Sequence, residues 1–173
     1  MVIVLPHWGT EYVYTPDSNQ NYWTQLFLSL GVDVVIGTHP HVLEPVEVVS
    51  DTKGHEMLVY YSLGNFVSNQ DQKPRMIGGM AKMTLVKDET GCYVKNYNLT
   101  PVITQKLFGK KAITTYKLSD YTESLASGNA IRNDSGCSDF SLSYCQTLVK
   151  QILGDDYDES TSELNVSLHP DGL

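Results

Sequence analysis

The chain has 173 residues, 41% of them hydrophobic, which suffices for one domain with its own core. Twenty acidic residues against twelve Lys and Arg give a formal net charge of −8. That balance excludes a nucleic-acid-binding module, whose phosphate partners demand a basic surface, and disfavours purely electrostatic attachment to anionic membrane.

No apolar run approaches the roughly 20 residues a helical membrane span needs. The start, Met1 to His7, has neither the basic lead nor the cleavage site of a signal peptide. Cys92, Cys137 and Cys145 form no C-x-x-C pair, so neither a zinc knuckle nor a disulfide framework is implied. A Cys137–Cys145 bridge remains open for an oxidising compartment.

Residues 2–6 read as a short buried strand closed by Pro6, and His7-Trp8-Gly9-Thr10-Glu11-Tyr12 follows as a loop. Pro16-Asp17-Ser18-Asn19 is a helix start rich in capping residues. Tyr22, Trp23, Leu26, Phe27 and Leu30 then recur at helical spacing up to Gly31, predicting an apolar face there. Val34-Val35-Ile36 is a second buried strand, ended by Gly37. Strand, loop, helix and strand make a βαβ unit, so the two strands should run parallel with a right-handed crossover.

Residues 45–49 and 57–63 predict a hairpin around 50–54, and residues 79–86 and 92–103 predict a second around 87–91. Gly78-Gly79 reads as a bulge at a strand start. Beyond residue 104 the pattern weakens, and 106–111 takes no assignment. Residues 120–126 suggest one or two helical turns. Phe140, Tyr144, Leu148 and Ile152 mark one face of a helix ended by Gly154. The acidic stretch from Asp155 reads as a frayed tail. The expected organisation is 1–105 as the main unit, 106–154 as an extension with a helix, and 155–173 as a flexible tail.

The chemistry concentrates where the first two strands end. His39 and His41 are two apart, and Pro40 biases His39 towards extended backbone, so both imidazoles are expected on one side. Parallel strands bring the His7 loop to the same end, which in open α/β sheets is where ligands bind. Three imidazoles at one rim are candidate ligands for a divalent transition metal. Glu11 and Glu44 lie within reach of the histidines in sequence and are candidates to orient an imidazole, as is Asn65 in Ser62-Leu63-Gly64-Asn65-Phe66. His55 and His169 read as surface residues, and Trp8 and Trp23 as core or pocket wall. No G-x-S-x-G elbow, P-loop or G-x-G-x-x-G is present.

His7-Trp8-Gly9 with Glu11-Tyr12, then Gly37-Thr38-His39-Pro40-His41-Val42 with Pro45 and Glu47, then Tyr61-Ser62-Leu63-Gly64-Asn65-Phe66 resemble the bacterial capsule synthesis protein family. This is the CapA/PgsA type of poly-γ-glutamate synthesis, similar to the calcineurin-like metallophosphoesterases. The likeness covers roughly residues 1–105 and concerns the C-terminal part of such a protein. It implies an α/β fold, a partial metallophosphoesterase-like α/β sandwich with a mixed sheet. It also implies a metal centre of Mn, Fe or Zn, with His7 matching a lone late histidine and His39 and His41 the terminal His-x-His.

The family's earlier Asp, Gly-Asp and Asn-His segments have no counterpart here. The chain alone is therefore expected to hold metal weakly or not at all and to be inactive. Completed by the missing N-terminal half, it is expected to act as a metal-dependent phosphoesterase. The alternatives are a non-catalytic envelope component handling an anionic polymer, or an inactive fragment. The resemblance places such proteins outside the cytoplasm or at the membrane. An uncovered sheet further predicts a homodimer or strand exchange.

Overall fold

The computed structural model describes residues 1–89, 91–107 and 112–169. Most of the untyped stretch 106–111, one residue of the 87–91 turn and the last four residues lie outside them.

The predicted βαβ unit is present. β1 (Ile3–Val4) pairs in parallel with β2 (Val34–Ile36), and α1 (Ser18–Ser29) crosses between them. Asp17 caps α1 by accepting from Gln20 N–H, and the Gln20 side chain accepts from Asp17 N–H in return. The hairpin of β3 (Val46–Ser50) and β4 (Glu56–Tyr60) joins through β4, which lies parallel to β2. The first sheet therefore runs β1-β2-β4-β3, a mixed sheet. Among the described residues β1 is paired on one side only, and Met1, Val2, Ile3 and Leu5 beside it are exposed.

The second sheet is antiparallel and built on β6 (Gly91–Leu107). β5 (Ile77–Asp88) covers one side of it along its length. The other side is shared by β7 (Ala112–Lys117) and β9 (Glu163–Ser167), and β8 (Tyr157–Asp158) pairs with β9. The larger core cluster holds Leu58 and Tyr60 from β4, Leu99 and Ile103 from β6, and Cys145, Val149 and Ile152 from α3 (Leu142–Leu153). A smaller cluster of Trp8, Leu28, Val35, Val59 and Tyr61 fills the space between the first sheet and α1. The arrangement is the expected α/β sandwich with a mixed sheet. No helix among the described residues is long and apolar enough to cross a membrane.

Several expectations are corrected. The acidic stretch after Asp155 is not a frayed tail as far as residue 169, because β9 pairs Asn96–Leu99 of β6 and buries Leu164. The boundary drawn at 105 falls inside β6, whose bonded partners lie on both sides of it.

Gly78 and Gly79 form no bulge: they pair in register with Val102 and Pro101, and the register shift lies between Thr84 and Leu85. Gly78 answers a close approach instead, since a Cβ there would overlap Asn65 O.

The buried stripe of α1 is Gln20, Thr24 and Leu28, whereas Tyr22, Trp23 and Leu30 are exposed. Gln20 is drawn in because its side chain finds a buried carboxylate at Glu44.

The three cysteines are free, with Cys92 exposed and Cys137 and Cys145 buried. Burial pushes the Cys145 thiol up to about 12, which makes it inert at neutral pH. His55 and His169 are half-buried rather than free on the surface. His55 Nε2–H donates to Val32 O at 2.8 Å, and His169 stands 3.5 Å from the Glu56 carboxylate.

Candidate active site at the histidine rim

Each histidine loop leaves the carboxyl end of a parallel strand. The loops are stitched together by backbone bonds: Thr38 N–H donates to Pro6 O (3.0 Å), Trp8 N–H to Thr38 O (3.0 Å) and Tyr12 N–H to Pro40 O (2.8 Å). The His7 and His39 rings stand with centroids 4.5 Å apart, and those of His39 and His41 6.3 Å apart. His39 has φ 110° and His41 φ 58°, so the extended backbone inferred for His39 from Pro40 does not form. Tyr12, beside them, has φ 68°. Left-handed backbone at non-glycine residues costs free energy and concentrates at functional sites. Among the described residues, only Ser162 shares this feature elsewhere.

Asn65 fixes the chemistry of His41. Its Nδ2–H₂ donates to two carbonyls, His41 O and Arg75 O, both at 3.0 Å, which settles the orientation of the amide. Its Oδ1 then accepts from His41 Nδ1–H at 3.0 Å. His41 must carry its proton on Nδ1, leaving the Nε2 lone pair free to bind a metal or accept a proton. Gly64, with φ 61°, and Gly78 let the chain at Asn65 pass this close to its neighbours.

Asn65→Ala should cost about 2 kcal/mol, because it strips two carbonyls and one imidazole N–H of a partner. It should also mix the two His41 tautomers. Imidazole ¹⁵N shifts check this, and an unchanged single tautomer would contradict the assignment.

Neither carboxylate expected to orient an imidazole hydrogen-bonds to one among the described residues. Glu44 is fully buried and takes its hydrogen bond from Gln20 Nε2 at 2.6 Å. Its Oε1 has no partner among the described residues, and burial pushes the acid up to about 7. Glu11 is exposed and makes no hydrogen bond or ion pair among the described residues. Trp8 packs against Tyr61 and donates from Nε1 to Tyr61 O at 2.8 Å, so it is wall rather than machinery.

No group of three or more His, Cys, Asp and Glu side chains among the described residues is arranged to hold a metal ion. Three neutral imidazoles are donors that suit a single transition-metal ion, but they supply no carboxylate to bridge a pair.

Arg75 was missed by sequence reasoning. It sits on a short 3-10 turn, Lys73–Met76, with its guanidinium over the Tyr12 ring. No periodicity or motif in the sequence marks it.

The fold and rim define the class: an α/β protein with a histidine-lined site at the carboxyl ends of its parallel strands. Residues 1–70 match the model of the bacterial capsule synthesis protein PGA_cap family. The chain is 35% identical over 102 residues to the PGA biosynthesis protein CapA of Bacillus subtilis (strain 168), covering 59% of this chain and 24% of that protein. It is 37% identical over 70 residues to the capsule biosynthesis protein CapA of Bacillus anthracis, covering 40% of this chain and 16% of that one. The match therefore spans a quarter or less of these relatives' length.

Proposed function

We propose that this chain works in capsule biosynthesis as the segment of a CapA-type protein that carries the histidine-lined rim. The observation that carries the reading is that the strained residues Tyr12, His39 and His41, with His7 and Asn65, all fall inside the matched residues 1–70. The finer reading is metal-dependent phosphoester hydrolysis by the completed protein, at the cell envelope. In that protein His7, His39 and His41 furnish neutral nitrogen donors to Mn, Fe or Zn, and acidic donors come from the length of the relatives that this chain does not span.

The test is a Zn²⁺ or Mn²⁺ titration of this chain and of the full-length CapA-type protein. Weak binding by the chain, and binding at least about tenfold tighter by the longer protein, is expected. His39→Ala in the longer protein should lower metal affinity and any phosphoester turnover together. Unchanged affinity and turnover in that variant would overturn the reading.

A second reading is an envelope component that holds an anionic polymer such as poly-γ-glutamate without turnover. It is favoured by the lack of any hydrogen bond from Glu11 or Glu44 to the imidazoles among the described residues. Retention of the polymer by the full-length protein, with no shortening over time, would select it.

A further inference from the structure

The guanidinium of Arg75 stands beside the histidine rim and is part of none of its motifs. Its Cζ lies 3.6 Å from the centroid of the Tyr12 ring. That ring is stacked towards His41, at 6.2 Å between centroids and 26° between planes. Tyr12 is bonded to the His39–His41 loop through Pro40 O, and Arg75 O is bonded to Asn65, which holds His41. Arg75 and His41 line one open groove of about 600 Å³, with Asn65, Gln70 and Asp71.

A guanidinium carries five N–H donors in one plane. Nη1 donates to Gln70 Oε1 (3.1 Å) and to Asp71 Oδ1 (2.8 Å). Among the described residues, no acceptor meets the edge formed by Nε and Nη2. The Arg75 side chain is 19% exposed and that of Asp71 71%. A carboxylate so exposed is loosely tied, whereas the arginine is anchored by the ring beneath it. An aromatic-backed guanidinium whose Nε and Nη2 donate to nothing among the described residues has the geometry that grips a carboxylate or phosphate as a fork. In a chain of net charge −8, a cation kept here and held by contacts other than its ion pair marks a place for an anion.

We propose that Arg75 binds an oxyanion group of the ligand, carboxylate or phosphate, through its Nε–Nη2 edge in the groove beside His41, with Gln70 and Asp71 holding Nη1. This rests on the rim being the ligand site of the capsule-biosynthesis reading. It requires neither a metal nor any residue outside this chain, so the two can fail separately.

The experiment titrates the full chain, in metal-free Tris buffer, with inorganic phosphate and with glutarate. It reads heat together with the Arg75 Nε–H and His41 imidazole NMR signals. The expected result is saturable binding of at least one anion, with both signals moving. Phosphate binding more tightly points to a phosphoester ligand, and glutarate to a polycarboxylate. Arg75→Gln should weaken binding at least tenfold. Arg75→Lys should not restore it, since the fork is lost. Asp71→Asn should tighten binding several-fold by removing the repelling carboxylate charge.

No binding by the wild-type chain, or equal affinity in Arg75→Gln, overturns the proposal. So does Asp71→Asn without effect. If the full-length protein shows no His39-dependent metal binding while phosphate still binds through Arg75, the metal reading falls and this inference stands.

Discussion

Raising the pH from 4.5 to 8 should destabilise the wild-type protein, relative to Glu44→Gln, by about 3 kcal/mol. Glu44 is fully buried, accepts one hydrogen bond from Gln20 and leaves Oε1 without a partner among the described residues. Desolvation by burial is the main cause that lifts it from 4.5 to about 7, and the Gln20 hydrogen bond only partly opposes the rise. The folded state therefore keeps the proton at pH values where the unfolded chain has released it. The stabilising contribution is full below pH 4.5, falls as pH rises towards 7, and is exhausted above it. Each pH unit between the two values counts for roughly 1.4 kcal/mol.

Gln is close in shape to the protonated acid and does not titrate. Subtracting the variant also removes the opposite, acid-side effect of carboxylates that sit below their usual range, such as Asp17 held by Gln20 N–H. Urea midpoints at pH 4.5, 6 and 8 measure the difference. Parallel curves for the two proteins would mean that Glu44 is ionised in the fold.

Gly37→Ala should cost about 3 kcal/mol or more, which for a domain of this size is much of its stability. A Cβ at Gly37 would overlap both Tyr61 O and Trp8 Nε1, and these two atoms are bonded to one another. The methyl would thus stand inside the Trp8–Tyr61 hydrogen bond. Neither partner can yield cheaply, because Trp8 is packed in the cluster under α1 and Gly37 is itself bonded to Tyr60 O and Leu63 N–H. Gly31→Ala is the control. Gly31 has φ 75° with open space around it, so only the backbone preference is lost, about 1 kcal/mol. Thermal melts with tryptophan emission compare the two. Equal losses would show that the close approach at Gly37 carries no special weight.

Much of the fold was legible where local chemistry and tertiary context agree. The βαβ unit follows from two β-branched runs flanking a well-capped helix, and α3 follows from a stripe whose Leu148 and Ile152 do enter the core. The facing of α1 was not legible. Its aromatic residues repeat at helical spacing, but which face is buried depends on Glu44, 24 residues from Gln20. β8 and β9 were hidden for a similar reason: a polar acidic stretch becomes strand because β6 offers an unpaired edge between Asn96 and Leu99.

At the rim, the three histidines and Asn65 could be read from motif and spacing. The roles of Glu11 and Glu44 could not, since nearness in sequence says nothing about which way a carboxylate turns. Arg75 gave no signal because its meaning comes wholly from the aromatic ring it lies on.

β6 is shared among β5, β7 and β9, and the last of these comes from residues 163–167. During synthesis on the ribosome, β5 and β6 can zip together as neighbours long before β9 has emerged. Until it does, the backbone of Asn96–Leu99 stands open along one side, a template for any passing extended segment. Emergence of residues 163–167 thus closes the sheet, and stop codons placed between residues 154 and 163 should send the product into inclusion bodies.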